Sequence, residues 1–290
     1  MNTKQAGILF VLLASVMWAV EPVFAKLSYQ NSDFLQTSGV RAVFVTLTAL
    51  VYVVLSKRRE KLRVNKKVLP SLIYLAVVGT VFADLLYFFA LTKVPVVNAV
   101  LIGHMQPVFV ILIGFFILKT DKLTAFDYIG IAFMITSGLL VTTKTLENLS
   151  TLRLGTSGDL MVLVATIAWA TTTVTARRYL KGLDAGIITF YRFMFASIVL
   201  IIYLTLTSNL AVANYYQMLV GVVVGVGTIL YYEGLKRIKA AQVSAMELTA
   251  PFFAALFGFF ILGETVTVLQ LIGISLLLMG IYCLSRKEEL

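Results

Sequence analysis

At 290 residues, 60% hydrophobic and 13% charged, with a mean hydropathy of +0.95, the chain is too apolar for a soluble globule and belongs in a membrane. Its net charge of +10 sits in short clusters between apolar runs, which excludes a basic nucleic-acid face for want of a soluble domain to carry one. The single cysteine, Cys283, excludes an internal disulfide and a cysteine-rich metal site.

Windows of about 20 residues, enough to cross about 30 Å of hydrocarbon at 1.5 Å per residue, predict ten spans. They cover 6–28, 37–55, 70–91, 96–118, 126–144, 158–180, 186–207, 214–234, 240–262 and 266–284. The runs are continuous rather than alternating, so they predict helices and not barrel strands. In chain order the first span carries Trp18, Glu21 and Pro22, the second Arg41, the third Asp84 and Tyr87, and the fourth His104 and Pro107. Trp169 lies in the sixth, Arg192 in the seventh, Tyr231 and Glu233 in the eighth, and Glu247 and Pro251 in the ninth. Eighteen lysines and arginines fall between spans on one side and four on the other, which predicts a multi-pass protein of the cell membrane with both termini cytoplasmic.

The chain writes itself twice. AVLIGHMQPVFVILIGFFIL at 99–118 returns as VSAMELTAPFFAALFGFFIL at 243–262, a spacing of 144 that carries Pro107 onto Pro251 and Tyr87 onto Tyr231. Earlier in each half the spacing is 151, carrying Gly7 onto Gly158, Trp18 onto Trp169, Lys26 onto Arg177 and Arg41 onto Arg192. The opening run has the look of a signal peptide, but its later copy marks it as a retained span. Five spans per half is an odd number, so the second half enters the membrane in the opposite sense. The expected fold class is therefore an all-α membrane protein of ten transmembrane helices in two inverted five-helix repeats, 6–144 and 158–285. Gly221 with Gly225, and Gly273 with Gly280, are expected to let helices approach closely.

LASVMWAVEPVFAKL and VATIAWATTTVTARR in the opening spans, GVRAVF and YRFMFA in the second spans, and APFFAALFGFFILGETVTVLQLIG late in the chain resemble the ten-span drug/metabolite transporter superfamily, in particular its EamA-type members. The resemblance covers nearly the full length. The first half departs from the last motif, with Lys119 and Thr120 where Gly263 and Glu264 stand. The resemblance implies a central cavity between the halves and transport of small metabolites such as amino acids, amines, nucleosides or sugar derivatives.

Ionisable groups at bilayer depth are costly and mark function or pairing. Counted along the spans, Glu21, Arg41, Asp84 and His104 fall roughly 5–8 Å to the outer side of the midplane. Arg192 and Glu247 fall to the inner side and are expected to form a structural ion pair, while Glu233 is expected to reach water at the cytoplasmic end. The outer group then sets one arginine against two carboxylates and a histidine. Trp18 and Glu21, like Asp84 and Tyr87, are three apart and share a helix face, and an acid beside an aromatic ring suits an ammonium group. Where the halves differ (Glu21 against Thr172, Asp84 against Thr228, His104 against Leu248, Glu247 against Gly103) the substrate is the better explanation.

The expected substrate-binding set is Trp18, Glu21, Asp84, Tyr87, His104, Trp169, Tyr231 and Glu247, with Glu21, Asp84 and His104 as proton-coupling candidates. Pro22, Pro107 and Pro251 each remove a backbone hydrogen bond and are expected to break or bend their helices. The expected function is a secondary transporter of a small amine-bearing metabolite. The alternatives are an anionic substrate held by Arg41 and Arg192, or a non-transporting scaffold or receptor. No nucleophile–base pair or metal-ligand cluster stands at catalytic spacing, so neither an enzyme nor a cofactor is expected, and the expected partners are a small molecule and the lipid bilayer. The oligomeric state stays open.

Overall fold

The computed structural model describes residues 3–56, 62–117, 125–151, 155–180, 182–207, 209–235, 237 and 249–285, and they form helices joined by turns and short loops, with no strand among them. The first two helices are α1 (Thr3–Ser28) and α2 (Phe34–Leu55). Asp33 starts α2 by accepting the Gln36 N–H at 2.7 Å, the usual way a carboxylate satisfies an open helix end. A third rod, Lys66–Leu91, opens on a tight turn at Lys66–Val68. It then runs through α3 (Leu69–Tyr74), a π-helical stretch Leu75–Asp84 and α4 (Leu85–Leu91).

A fourth rod, Val96–Ile117, consists of α5 (Val96–Gly103), α6 (Gln106–Leu112) and a π-helical end Ile113–Ile117. The chain then forms α7 (Ala125–Thr143), the short α8 (Leu146–Ser150) and α9 (Ser157–Tyr179). A capping box between Thr156 and Asp159 sets the start of α9. The remaining helices are α10 (Ala185–Leu206), α11 (Tyr215–Leu235), α12 (Thr249–Leu262) and α13 (Val268–Ser285).

Seven of these rods are long and apolar enough to cross a membrane, and three further apolar helices, 215–231, 249–262 and 268–283, are shorter. The expected ninth span begins at 240, so its first part lies outside the described residues.

Helix α1 packs against α11 and α12, and α9 packs against the third and fourth rods. Helix α2 packs against α10 and α11, α10 also meets the third rod, and α7 pairs with α13. Lipid offers no hydrophobic drive between helices, so close approach depends on small residues. A Cβ on Gly221 would stand 2.5 Å from the Phe44 Cβ, and one on Gly280 would stand 2.5 Å from the Met134 Cγ. These glycines, with Gly225 against Thr48 and Gly273 against Val141, set the α2–α11 and α7–α13 contacts as their spacing implied. Large apolar side chains such as Phe116, Leu206, Phe259 and Phe260 face outward, while the charged groups of Glu21, Arg41 and Asp84 turn inward.

A candidate substrate site at the centre of the bundle

The interior of the bundle is organised on Arg41 of α2, whose side chain is 5% exposed. One Nη lies 2.7 Å from the Glu21 Oε1 of α1, and the other donates to the Asp84 Oδ2 at 2.8 Å. Its guanidinium lies 4.9 Å from the Phe88 ring centre and 5.3 Å from that of Phe193. The Nε is buried and has no hydrogen-bond partner among the described residues, so the rings do part of the work of solvating this cation.

Asp84 ends the π-helical stretch and is the junction of the two halves. Besides Arg41 it accepts the Trp169 indole N–H at 2.7 Å and an Arg192 Nη–H at 3.3 Å, both on Oδ1. Arg192 also donates from Nε to the Thr80 Oγ1 at 2.9 Å and from Nη2 to the Gly79 carbonyl at 3.2 Å. The Gly79 carbonyl takes the Trp169 N–H at 3.2 Å as well. A Cβ on Gly79 would be tight, within 3.2 Å of both the Arg192 Nη2 and the Thr172 Cγ2. Charged hydrogen bonds of this kind are the stronger ones, and a low-dielectric interior strengthens them further.

The expected surplus of acid is therefore corrected: among the described residues two arginines face two carboxylates, because Arg192 reaches Asp84, while the expected pairing of Arg192 with Glu247 falls outside the described residues. Depth counted along helices neglects helix tilt and the length of an arginine side chain. Glu247 lies outside the described residues. Glu233 is also corrected, because it is tied in rather than left to water. It accepts from the Tyr52 hydroxyl at 2.6 Å and from Arg237 at 2.7 Å.

Around the ions stand two aromatic pairs of nearly the same geometry. Tyr87 and Trp169 have ring centres 5.2 Å apart at 54°, and Trp18 and Tyr231 have theirs 5.1 Å apart at 47°. Each pair takes one ring from each half. Their surroundings differ, since Trp169 donates to Asp84 whereas the residue that matches Asp84 in the other half of the sequence is Thr228. Glu21 is also held less completely than Asp84, by one guanidinium nitrogen at one oxygen.

His104 and Met105 lie between α5 and α6, where the bonding tightens just before Pro107: the His104 N–H donates to the Val100 carbonyl and the Met105 N–H to that of Ile102, each at 3.0 Å. The His104 Nδ1 lies 2.7 Å from the Val100 carbonyl, which can only accept, so Nδ1 carries a proton and Nε2 is the nitrogen left to titrate. Pro22, by contrast, does not end its helix: α1 runs unbroken past it. Pro22 still lacks an N–H, which leaves the Trp18 carbonyl without its i+4 donor. Pro251 lies in α12, and the residues before Thr249 that would show whether it breaks the helix lie outside the described ones. Sequence reasoning did not name Gly79, Thr80 or Phe193, which contribute a carbonyl, a hydroxyl and a ring that carry no charge for a scan to find.

A protein-family description, "EamA-like transporter family", matches residues 5–143 and 156–286. The chain belongs to the EamA-like transporter family. This makes it a multi-pass membrane transporter of the drug/metabolite type that the sequence motifs resemble. The chain is 30% identical over 220 residues to the uncharacterized transporter sll1164 of Synechocystis, covering 71% of this chain and 62% of that one, so it spans less than two thirds of that relative's length. It is 26% identical over 286 residues to the uncharacterized transporter YyaM of Bacillus subtilis, covering 94% and 92%. A crystal structure at 15% identity superposes with a TM-score of 0.67 over 97% of both chains, which establishes likeness of fold.

Proposed function

We propose that this EamA-like protein is a secondary transporter of a small amine-bearing metabolite, an amino acid or a related organic cation, working by alternating access. Its ten spans form two inverted repeats, 6–144 and 158–285, with both termini in the cytoplasm. The packing supports the repeat: exchanging the halves carries the α1–α11 contact onto that of α9 with the third rod, α1–α12 onto α9 with the fourth rod, and α2–α11 onto α10 with the third rod. The pairs α2–α10 and α7–α13 map onto themselves. The two Trp–Tyr pairs exchange in the same way.

The carrying observation is the unequal holding of the two acids. Asp84 accepts three donors and is a positioning group. Among the described residues Glu21 has one partner, Arg41, and it lies three residues from Trp18 on the same helix. It is therefore the carboxylate that meets an ammonium, with Trp18 and Tyr231 beside it and Tyr87 and Trp169 across the cleft. An ammonium at Glu21 competes with Arg41, so a proton there does the same, and Glu21 is the first site for proton coupling, with His104 as the second. Both arginines are engaged by carboxylates, which weighs against an anionic substrate.

A thermal-shift screen of the purified protein against amino acids, polyamines, quaternary amines and sugar phosphates tests this reading, because a ligand that binds only the folded state raises its apparent stability. The expected result is a rise in Tm with an amine that is lost in Glu21→Gln. A Tm raised by sugar phosphates alone, or an amine shift that survives Glu21→Gln unchanged, would sink it.

A further inference from the structure

At the ends of the helices remote from the cytoplasm in the proposed orientation, Glu264 joins three elements that have no covalent reason to stay together. Its position is built locally. Gly263 takes φ +67°, a left-handed conformation natural to glycine, and ends α12. The Gly263 N–H donates to the Phe259 carbonyl at 3.2 Å and the Glu264 N–H to the Gly258 carbonyl at 3.0 Å. The Glu264 side chain then folds back over Gly258, where a Cβ would lie 3.1 Å from its Oε2. From there one carboxylate oxygen lies 2.7 Å from the Lys26 Nζ of α1, and the other accepts the Val96 N–H at the start of α5 at 2.8 Å.

Two residues along α5 a second polar cluster continues the seal. The buried Asn98 donates to the Asp159 Oδ1 of α9 at 2.9 Å and accepts from the Gln270 Nε2 of α13 at 2.6 Å. Asp159 spends its other oxygen on the Thr156 N–H at 2.9 Å. Helices α1 and α5 of one half are thus tied to α9, α13 and the α12–α13 turn of the other.

The repeat makes this informative, because an inverted pair of halves would place the matching seal at the cytoplasmic end. The matching residues are different. Thr120 stands for Glu264, Ile8 for Asp159 and Phe126 for Gln270, while Lys26 is matched by another cation, Arg177. Both carboxylates are absent from the cytoplasmic set. We propose that Glu264 is the ionic latch of the outer gate, released each time the cleft opens outward. The proposal rests on the two-repeat, cytoplasmic-termini reading above, and it does not depend on the substrate.

The test is the reactivity of a cysteine within the cleft toward a membrane-impermeant maleimide added outside intact cells. The native Cys283 is replaced by serine, and Gly103→Cys supplies the reporter, since a Cβ there lies 3.8 Å from the Trp169 ring, an ordinary contact. A partly buried ion pair and a charge-assisted hydrogen bond together hold the closed state, so adding Glu264→Gln is expected to raise the labelling rate about fivefold or more. Lys26→Gln, which leaves the cap on Val96 intact, is expected to raise it by a smaller factor and serves where Glu264→Gln fails to reach the membrane. Labelling that stays at the reporter's own rate in both variants overturns the latch. A control cysteine placed by Lys4→Cys reports on orientation; if it labels from outside, the orientation fails and the proposal falls with it.

Discussion

The indole N–H of Trp169 and the carboxylate of Asp84 lie 2.7 Å apart, and that bond joins α9 of the second half to the end of the π-helical stretch in the first. For Trp18, the repeat counterpart of Trp169, the residue that matches Asp84 in sequence is Thr228, so the two tryptophans hold similar rings in unlike surroundings. Trp169→Phe keeps the ring and removes the donor to a charged acceptor, with an expected cost of about 2 kcal/mol. Trp18→Phe loses no such bond and is expected to cost less. Equal losses in Tm for the two variants would contradict this.

Removing Asp84 leaves Arg41 and Arg192 facing a single acid in a dry interior. Asp84→Ala is expected to destabilise the protein by about 3 kcal/mol or more, and Glu21→Gln by clearly less, because Glu21 serves one donor where Asp84 serves three. Urea or thermal unfolding of both variants in the same detergent checks the order. A Glu21 variant as damaged as the Asp84 variant would remove the basis for treating Glu21 as the freer carboxylate.

Gly79→Ala brings a methyl within 3.2 Å of the Arg192 guanidinium, whose far end can move, and of the Thr172 methyl, which is fixed by its β-branched side chain. The expected loss is about 1–2 kcal/mol from overpacking, accompanied by weakened amine binding as Arg192 swings off Asp84. Stability and ligand-induced Tm shift measured on the same sample test both parts.

Gly280→Leu tests the lipid-phase packing of α7 on α13. With Met134 2.5 Å from the position of a Cβ and the Gly130 carbonyl at 2.9 Å, the helices must separate. The expected effect is a loss of about 3 kcal/mol with no change in ligand selectivity, since the α7–α13 pair lies outside the ionic cluster.

The inner organisation was only partly legible in the sequence. The aromatic pairs and Arg41 could be found because the chain repeats them, and repetition survives without coordinates. The partner of Arg192 could not, because a residue's height along a helix says little about where a long side chain on a tilted helix delivers its charge. Gly79 was hidden for another reason: its contribution is a backbone carbonyl inside a π-helical stretch, and hydropathy does not report a change from i+4 to i+5 bonding. Glu264 was visible as a break in the repeat, but what it holds is a lysine 238 residues away and a backbone N–H, neither of which a motif reveals.

Phe193 follows Arg192 in the chain, and its ring lies 5.1 Å from the Arg192 guanidinium and 5.3 Å from that of Arg41. Two like charges that meet at one carboxylate thus share an aromatic neighbour carried by the same helix as one of them. Arg192 and Phe193 are neighbours on α10, so the cation that reaches Asp84 and a ring that steadies Arg41 are carried by one helix. The two arginines are thus joined twice, through the Asp84 carboxylate and through the face of one ring, so Glu21 is linked by way of Arg41 to the opposite half of the protein.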